Sequence, residues 1–264
     1  MSLCTVTRGD APLVIDIPHA GTLVPATLSG RLAPVARSLP DTDWHVDRLY
    51  GFASERGITV VAATHSRYVV DLNRDPAGAA LYPGADNTEL CPTRTFAGDP
   101  IYAANAVPGA DEIRARRTAY FDPYHEILAG EVERVRRRHG YAVLLDGHSI
   151  RAEVPRFFAG RLPDLNLGTA DGRSCAPALR DTAAGILGAT TRFTHVVDGR
   201  FKGGYVTRHY GCPARGVHAL QLEIAQACYL DEAAPDRYDV ARAANLVDML
   251  ESLVAALLGW RPGD

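Results

Sequence analysis

The chain has 264 residues, 47% hydrophobic and 22% charged, enough to bury a large core and close to the upper end for one α/β domain. A net charge of −3 gives the global field no pull toward nucleic acid or an acidic membrane, so selectivity for anions has to come from local arginines. Five scattered cysteines without a C-x-x-C pair argue against a disulfide framework or a zinc knuckle and fit a reducing cytoplasm. Residues 1–20 show no basic stretch followed by an apolar one, so no secretory leader is expected. The longest apolar run, 253–260, is far too short to span a bilayer. No repeat or Pro/Ser linker divides the sequence, so residues 1–264 are expected to form one domain.

Residues 13–17 read as a short buried strand running into Pro18-His19-Ala20-Gly21, a turn with a breaker on each side. Residues 43–56 read as a helix capped by Asp41 or Thr42, with Val46, Leu49 and Ala53 on one face and Gly57 as its stop. Residues 58–63 and 68–72 look like two further strands. The stretch 75–111 is rich in proline and glycine; at that length it is expected either to cover an active site or to hide a short helix. A charged helix should follow over 111–139, disturbed at Pro123, and its basic run 134–139 reads as a solvated face. Residues 141–145 form the next buried strand and deliver Asp146-Gly147-His148-Ser149 at its carboxyl end. Residues 218–224 form another, carrying Glu223, and the last helix spans 239–258. Such alternation implies a three-layer α/β fold with a mostly parallel or mixed central sheet flanked by helices, in which chemistry sits where strands end.

His19, His148 and Glu223 fall at or just beyond strand ends, and their coincidence says more than any one of them. A catalytic metal of the zinc type takes about three N/O protein ligands and keeps one position open for water. Singly, His19 reads as well as a turn histidine, and His148 as a structural one. The acidic ligand stays open between Asp43 and Asp47, four apart on one predicted helical face. Glu223 lies in the otherwise apolar Leu220-Gln221-Leu222-Glu223-Ile224. An arginine partner would make it structural, whereas desolvation would lift its pKa into the range of a general base. Arg67, Asn73 and Arg74 suit the grip of a carboxylate, with exposed salt bridges as the plainer reading. The glycine-rich run 199–211 adds Lys202, Arg208 and His209 as candidates for a second carboxylate, or forms a solvated hairpin.

The strings Pro18-His19-Ala20-Gly21, Asp41-Thr42-Asp43-Trp44-His45-Val46-Asp47-Arg48-Leu49-Tyr50, residues 66–74, Asp146-Gly147-His148-Ser149-Ile150-Arg151, Leu162-Pro163-Asp164-Leu165-Asn166-Leu167-Gly168-Thr169 and residues 199–211 resemble the N-formylglutamate deformylase (N-formylglutamate amidohydrolase) family over nearly the whole chain. More distantly, Asp71-Leu72-Asn73-Arg74, His148-Ser149 and Glu223 are similar, in the same chain order, to motifs of zinc carboxypeptidases and the aspartoacylase group. Those families take a first His and a Glu from one H-x-x-E loop; here the fourth position is Thr22, so the acidic ligand comes from elsewhere.

The resemblance implies a carboxypeptidase-like, phosphorylase/hydrolase-like fold and metal-dependent hydrolysis of N-formyl-L-glutamate to formate and L-glutamate, the last step of a histidine degradation route. It implies His19, Asp43 and His148 on one divalent ion, zinc in first place, with Asp43 preferred to Asp47 because the family is more regularly acidic there. It implies Glu223 as base, Arg67, Asn73 and Arg74 on the glutamate carboxylates, and Lys202, Arg208 or His209 near the second. The expected partner is this small molecule, with neither nucleic acid nor membrane, and the oligomeric state stays open. The competing readings are a hydrolase of another N-acylated acidic amino acid, a zinc carboxypeptidase, and a binder of acidic amino acids without chemistry. A binder has no use for two such histidines and a buried base.

Overall fold

The computed structural model describes residues 2–263. Seven strands form one mixed sheet: β1 (Cys4–Thr7), β2 (Leu13–Ile17), β3 (Thr59–Ala63), β4 (Ala142–Ile150), β5 (Leu165–Gly168), β6 (His195–Val197) and β7 (Val217–Ala225), in the spatial order β1-β3-β2-β4-β7-β5-β6. β3, β2, β4 and β7 are parallel, β1 is antiparallel to β3, and β5 is antiparallel to β7 and parallel to β6. The helices are α1 (Ala26–Ser29), α2 (Val46–Leu49), α3 (Ala110–Arg116), α4 (Asp122–His139), α5 (Pro177–Ala189), α6 (Tyr205–Tyr210) and α7 (Val240–Gly259). None of the described helices is long and apolar enough to cross a membrane.

β2, β4 and β7 are buried along their whole length, which is why they read as unbroken runs rather than alternating ones. The two-residue period of a strand still sorts their side chains. Leu13, Ile15, Val143, Leu145, Leu220 and Leu222 join the core beneath α5 and α7, while Val14, Ala142, Leu144 and Ala219 pack toward α4 and α6. Further along, the same alternation puts Asp16, Asp146, His148, Gln221 and Glu223 on the α4 and α6 face. The register makes Asp146 the neighbour of Gln221 and His148 the neighbour of Glu223. Two candidate residues far apart in sequence thus become cross-strand partners at the carboxyl ends of adjacent parallel strands.

Several expectations need correction. Residues 43–56 do not form one helix: α2 has a single turn, and a 3-10 segment (Gly51–Arg56) follows it. His45, with φ of 61°, stands before α2, and Asp41 accepts from Tyr68 and from the backbone of Phe96 instead of capping a helix. Residues 68–72 are buried but join no sheet; their backbone turns, with Val69 N–H donating to Ser66 and Asp71 N–H to Leu90. The stretch 75–109 contains no helix, so its alternative as a cover remains. The helix predicted over 111–139 is split into α3 and α4 by a π turn (Arg117–Phe121), just ahead of Pro123 in the first turn of α4. The residues Asp146 to Ser149 lie within β4 rather than beyond it. The run 199–211 contains α6 rather than a hairpin, and β1, β5, β6 and α5 carried too little pattern to be foreseen.

One contact ties α4 to the segment that bears the site. His125 Nε2 lies 2.9 Å from the carbonyl of Leu72 and Nδ1 2.9 Å from the Tyr210 hydroxyl, between the rings of Phe121 and Tyr205. Burial pushes its pKa down to about 4 from an ordinary 6.5. The unfolded chain therefore takes up a proton that the fold refuses, and stability present above pH 6.5 drains away as pH falls toward 4, by about 2–3 kcal/mol. Melting curves of wild type and His125→Gln should show a flatter pH dependence for the variant across this window; parallel curves would deny the contribution.

Candidate active site

His19 follows β2 in the turn opened by Pro18. That turn needs Gly21, because a Cβ there would stand 2.5 Å from the carbonyl oxygen of His65. Asp43 comes from the irregular segment before α2, its backbone N–H bonded to the carbonyl of His19. With His148 from β4 these side chains converge, exposed to solvent by only 1%, 1% and 2%. The Nδ1 atoms of His19 and His148 are 3.2 Å apart, and Asp43 Oδ2 is 2.9 Å from His148 Nδ1 and 3.8 Å from His19 Nδ1. Asp47, the other acidic candidate, is exposed on α2.

The far nitrogens face buried carboxylates. His19 Nε2 is 2.7 Å from Asp71 Oδ1, and His148 Nε2 is 2.7 Å from Asp146 Oδ1. A carboxylate at that distance favours a proton on each Nε2, which turns both Nδ1 lone pairs toward Asp43. An Arg67 N–H also reaches His19 Nδ1, as a donor meeting a lone pair. Three electron-rich atoms facing one another need a shared cation, and a proton or a metal ion can supply it. For bond lengths near 2.0–2.1 Å, the edge of a tetrahedral coordination shell is about 3.3 Å. The observed 2.9, 3.2 and 3.8 Å bracket that edge, and carboxylates behind both imidazoles are the usual second layer of a histidine-bound metal. The residues fit one divalent ion.

The electrostatics agree with that donor set. Although burial alone would raise the Asp43 carboxyl, the Arg67 charge and the adjacent imidazoles of His148 and His19 hold it well below the usual carboxylate range. Asp71 is lowered likewise, against its burial, by Arg74, His19 and Arg67. Burial alone would lower His148, yet Asp146 and Asp43 on its two sides hold it well above the ordinary histidine value. Glu223, 7% exposed, behaves in the opposite sense. Burial pushes it up to about 7, with Asp43 adding to the rise and His148 and Arg67 opposing it. Its Oε2 accepts from Gln221 at 3.2 Å, and Gln221 in turn accepts from Gly204 N–H at 2.7 Å.

These groups open into a cleft of about 570 Å³, mouth included, lined also by Arg67, Asn73, Arg74 and Arg200 and by the rings of Tyr82 and Phe96. The lining residues from 81 to 96 belong to the irregular stretch, so that stretch does cover the cleft. Asn73 is less free than its sequence suggests. Its Oδ1 accepts from Val206 N–H at 2.7 Å, and its Nδ2 lies 3.1 Å from Asp146 Oδ2 and 2.8 Å from His148 Nε2. Gly204 allows this, since a Cβ there would stand 2.3 Å from the Asn73 amide. Among the described residues Arg74 keeps Nη2 uncommitted: Nε donates to Thr88 and Nη1 to the carbonyl of Asn73.

The other three cationic candidates lie outside the cleft lining. Lys202 pairs with Asp171 at 2.8 Å, Arg208 donates to the carbonyl of Gly203, and exposed His209 stacks on Tyr205. For Arg208 and His209 the cause is α6, whose turn carries Val206 and Thr207 inward and these charged residues outward. Sequence reasoning missed Arg200, although it stands in the same glycine-rich run, and missed the supporting acids Asp71 and Asp146, both of which lie in the motifs already singled out.

Residues 11–230 match the family described as N-formylglutamate amidohydrolase. N-formylglutamate deformylases of Pseudomonas putida and Pseudomonas aeruginosa are 45% and 48% identical over 255 residues, which is 96% of this chain and 94% and 95% of theirs. The crystal structure of N-formylglutamate amidohydrolase from Ralstonia eutropha superposes with a TM-score of 0.80 at 30% identity, covering 97% of both chains. A fold shared over its full length and identity approaching one half lead to one conclusion: this chain belongs to the N-formylglutamate amidohydrolase family, hydrolases of an amide bond.

Proposed function

We propose that this chain hydrolyses the formamide of N-formyl-L-glutamate to formate and L-glutamate with one divalent metal ion. The observation that carries the proposal is the triad of His19, Asp43 and His148 beside a carboxyl, Glu223, raised to about 7 in an arginine-lined cleft. A divalent ion held by the triad supplies a Lewis acid for the formyl oxygen and acidifies water; zinc is the first choice, although N/O ligands discriminate weakly among metals.

The remaining roles belong to side chains. Glu223 takes a proton from the attacking water while the water oxygen bonds to the formyl carbon. It then delivers that proton to the amide nitrogen as the C–N bond breaks, and the second water proton reaches the amine as formic acid ionises. A pKa near neutrality suits a group that must accept and return one proton in each turnover. Gln221 orients Glu223. We assign Arg67, whose Nε has no partner among the described residues, to the charge developing on the formyl oxygen, and Arg74 to a substrate carboxylate. The proposal extends to the last step of a histidine degradation route, as the sequence resemblance implies, and to the cytoplasm, where the five free thiols fit.

Purified protein should release formate from N-formyl-L-glutamate, lose the activity on chelation and dialysis, and regain it with zinc or cobalt; full turnover by metal-free protein contradicts the proposal. Glu223→Gln should lower kcat by about 10²- to 10⁴-fold while elemental analysis finds the metal retained. His19→Ala and His148→Ala should instead lose the metal with an unchanged circular dichroism spectrum, and stoichiometric metal in both would remove the triad from consideration.

A further inference from the structure

We propose that Arg200 reads the second carboxylate of the substrate and so restricts the enzyme to dianionic N-formyl amino acids. This inference rests on the hydrolase reading above and adds the residue that sets its specificity.

Three guanidiniums line the cleft, and two of them already face acids. Arg67 lies 3.6 Å from Asp43, and Arg74 lies 3.8 Å from Asp71. Asp86, the acid of the cleft other than Glu223, is itself paired with Arg156 at 2.7 Å. Arg200 differs: among the described residues no carboxylate comes within 4.0 Å of it. Its Nε donates to the carbonyl of Phe157 at 2.8 Å. Its guanidinium sits among the rings of Tyr82, Phe201 and Phe157, at 4.7, 5.4 and 6.0 Å.

Ring faces steady a guanidinium without consuming its N–H donors. Among the described residues Nη1 and Nη2 therefore remain a planar, unopposed pair, the arrangement that takes a carboxylate with two parallel hydrogen bonds. Of the neighbouring cations, Lys202 is neutralised by Asp171, and Arg208, whose guanidinium lies 5.5 Å from the Tyr82 ring, is not among the residues that line the cleft. A glutamate-type substrate has one formamide and two carboxylates. With the formamide at Glu223 and one carboxylate at Arg74, the unmatched charge on the ligand meets the unmatched charge on the protein.

The test compares wild type, Arg200→Met and Arg200→Lys on N-formyl-L-glutamate and N-formyl-L-glutamine, with glutarate and butyrate binding followed by thermal shift. Arg200→Met should cut kcat/KM for the glutamate substrate by about 30- to 1,000-fold, change the glutamine substrate less than about threefold, and abolish the glutarate shift. Arg200→Lys should recover part of both. Equal losses on the two substrates, or unchanged glutarate binding, overturn the assignment. If wild type releases no formate at all, the hydrolase reading fails, while the glutarate arm still decides whether Arg200 binds a carboxylate.

Discussion

Two imidazoles and an ionised aspartate share a volume from which water is nearly excluded, and that arrangement governs the rest of the molecule. An unpaired charge in such a place costs several kcal/mol, so each of the three needs a partner. Asp71 and Asp146 stand behind the histidines, Arg67 beside Asp43, and Asn73 bridges Asp146 to the backbone of α6. The groups form one network, in which removing any member strands the others. The same dry surroundings that demand this pairing raise Glu223, which among the described residues has no cation within 4.0 Å.

The fold meets the demand by topology. Parallel strands end on the same side of the sheet, so β2, β4 and β7 bring His19, His148 and Glu223 together although they are far apart in the sequence. The departure of residues 68–72 from strand geometry belongs to the same design. In a strand, Arg67, Asp71 and Asn73 would point to one face and Arg74 to the other. The turning path puts Arg67, Asn73 and Arg74 on the cleft and tucks Asp71 behind His19. Tyr82 and Phe96, from the irregular stretch, then wall the cleft with apolar surface that keeps charge interactions strong.

Specificity and catalysis draw on different parts of this architecture. Of the groups proposed to hold the metal and move the proton, His19, His148 and Glu223 come from strand ends or the turn after a strand, and Asp43 is tied to that turn by its N–H bond to the carbonyl of His19. The cleft cations proposed to meet the substrate come from segments without regular structure, Arg74 before the long cover and Arg200 before α6. Such segments can vary without disturbing the sheet, so substrate preference can change while the chemistry is kept.

The sequence by itself determined the buried strands and the groups they carry, because a run such as 141–145 is too apolar to lie anywhere but in a core, and a carboxylate at 223 or a histidine at 148 is conspicuous within it. The last helix was equally legible, with Asp239 capping it through the N–H of Arg242. Tertiary structure alone decided which polar residues face the cleft. Asp43 and Asp47 look equivalent on a predicted helix, and only the breakdown of that helix turns one inward and leaves the other in water. Within 199–211 the sequence singles out Lys202, Arg208 and His209, but α6 directs Arg208 and His209 away, Lys202 pairs with Asp171, and Arg200, before the helix, is the cation of this run that lines the cleft. Burial leaves its mark on composition, position by position. Direction depends on backbone turns and long-range packing, which no single stretch of residues encodes.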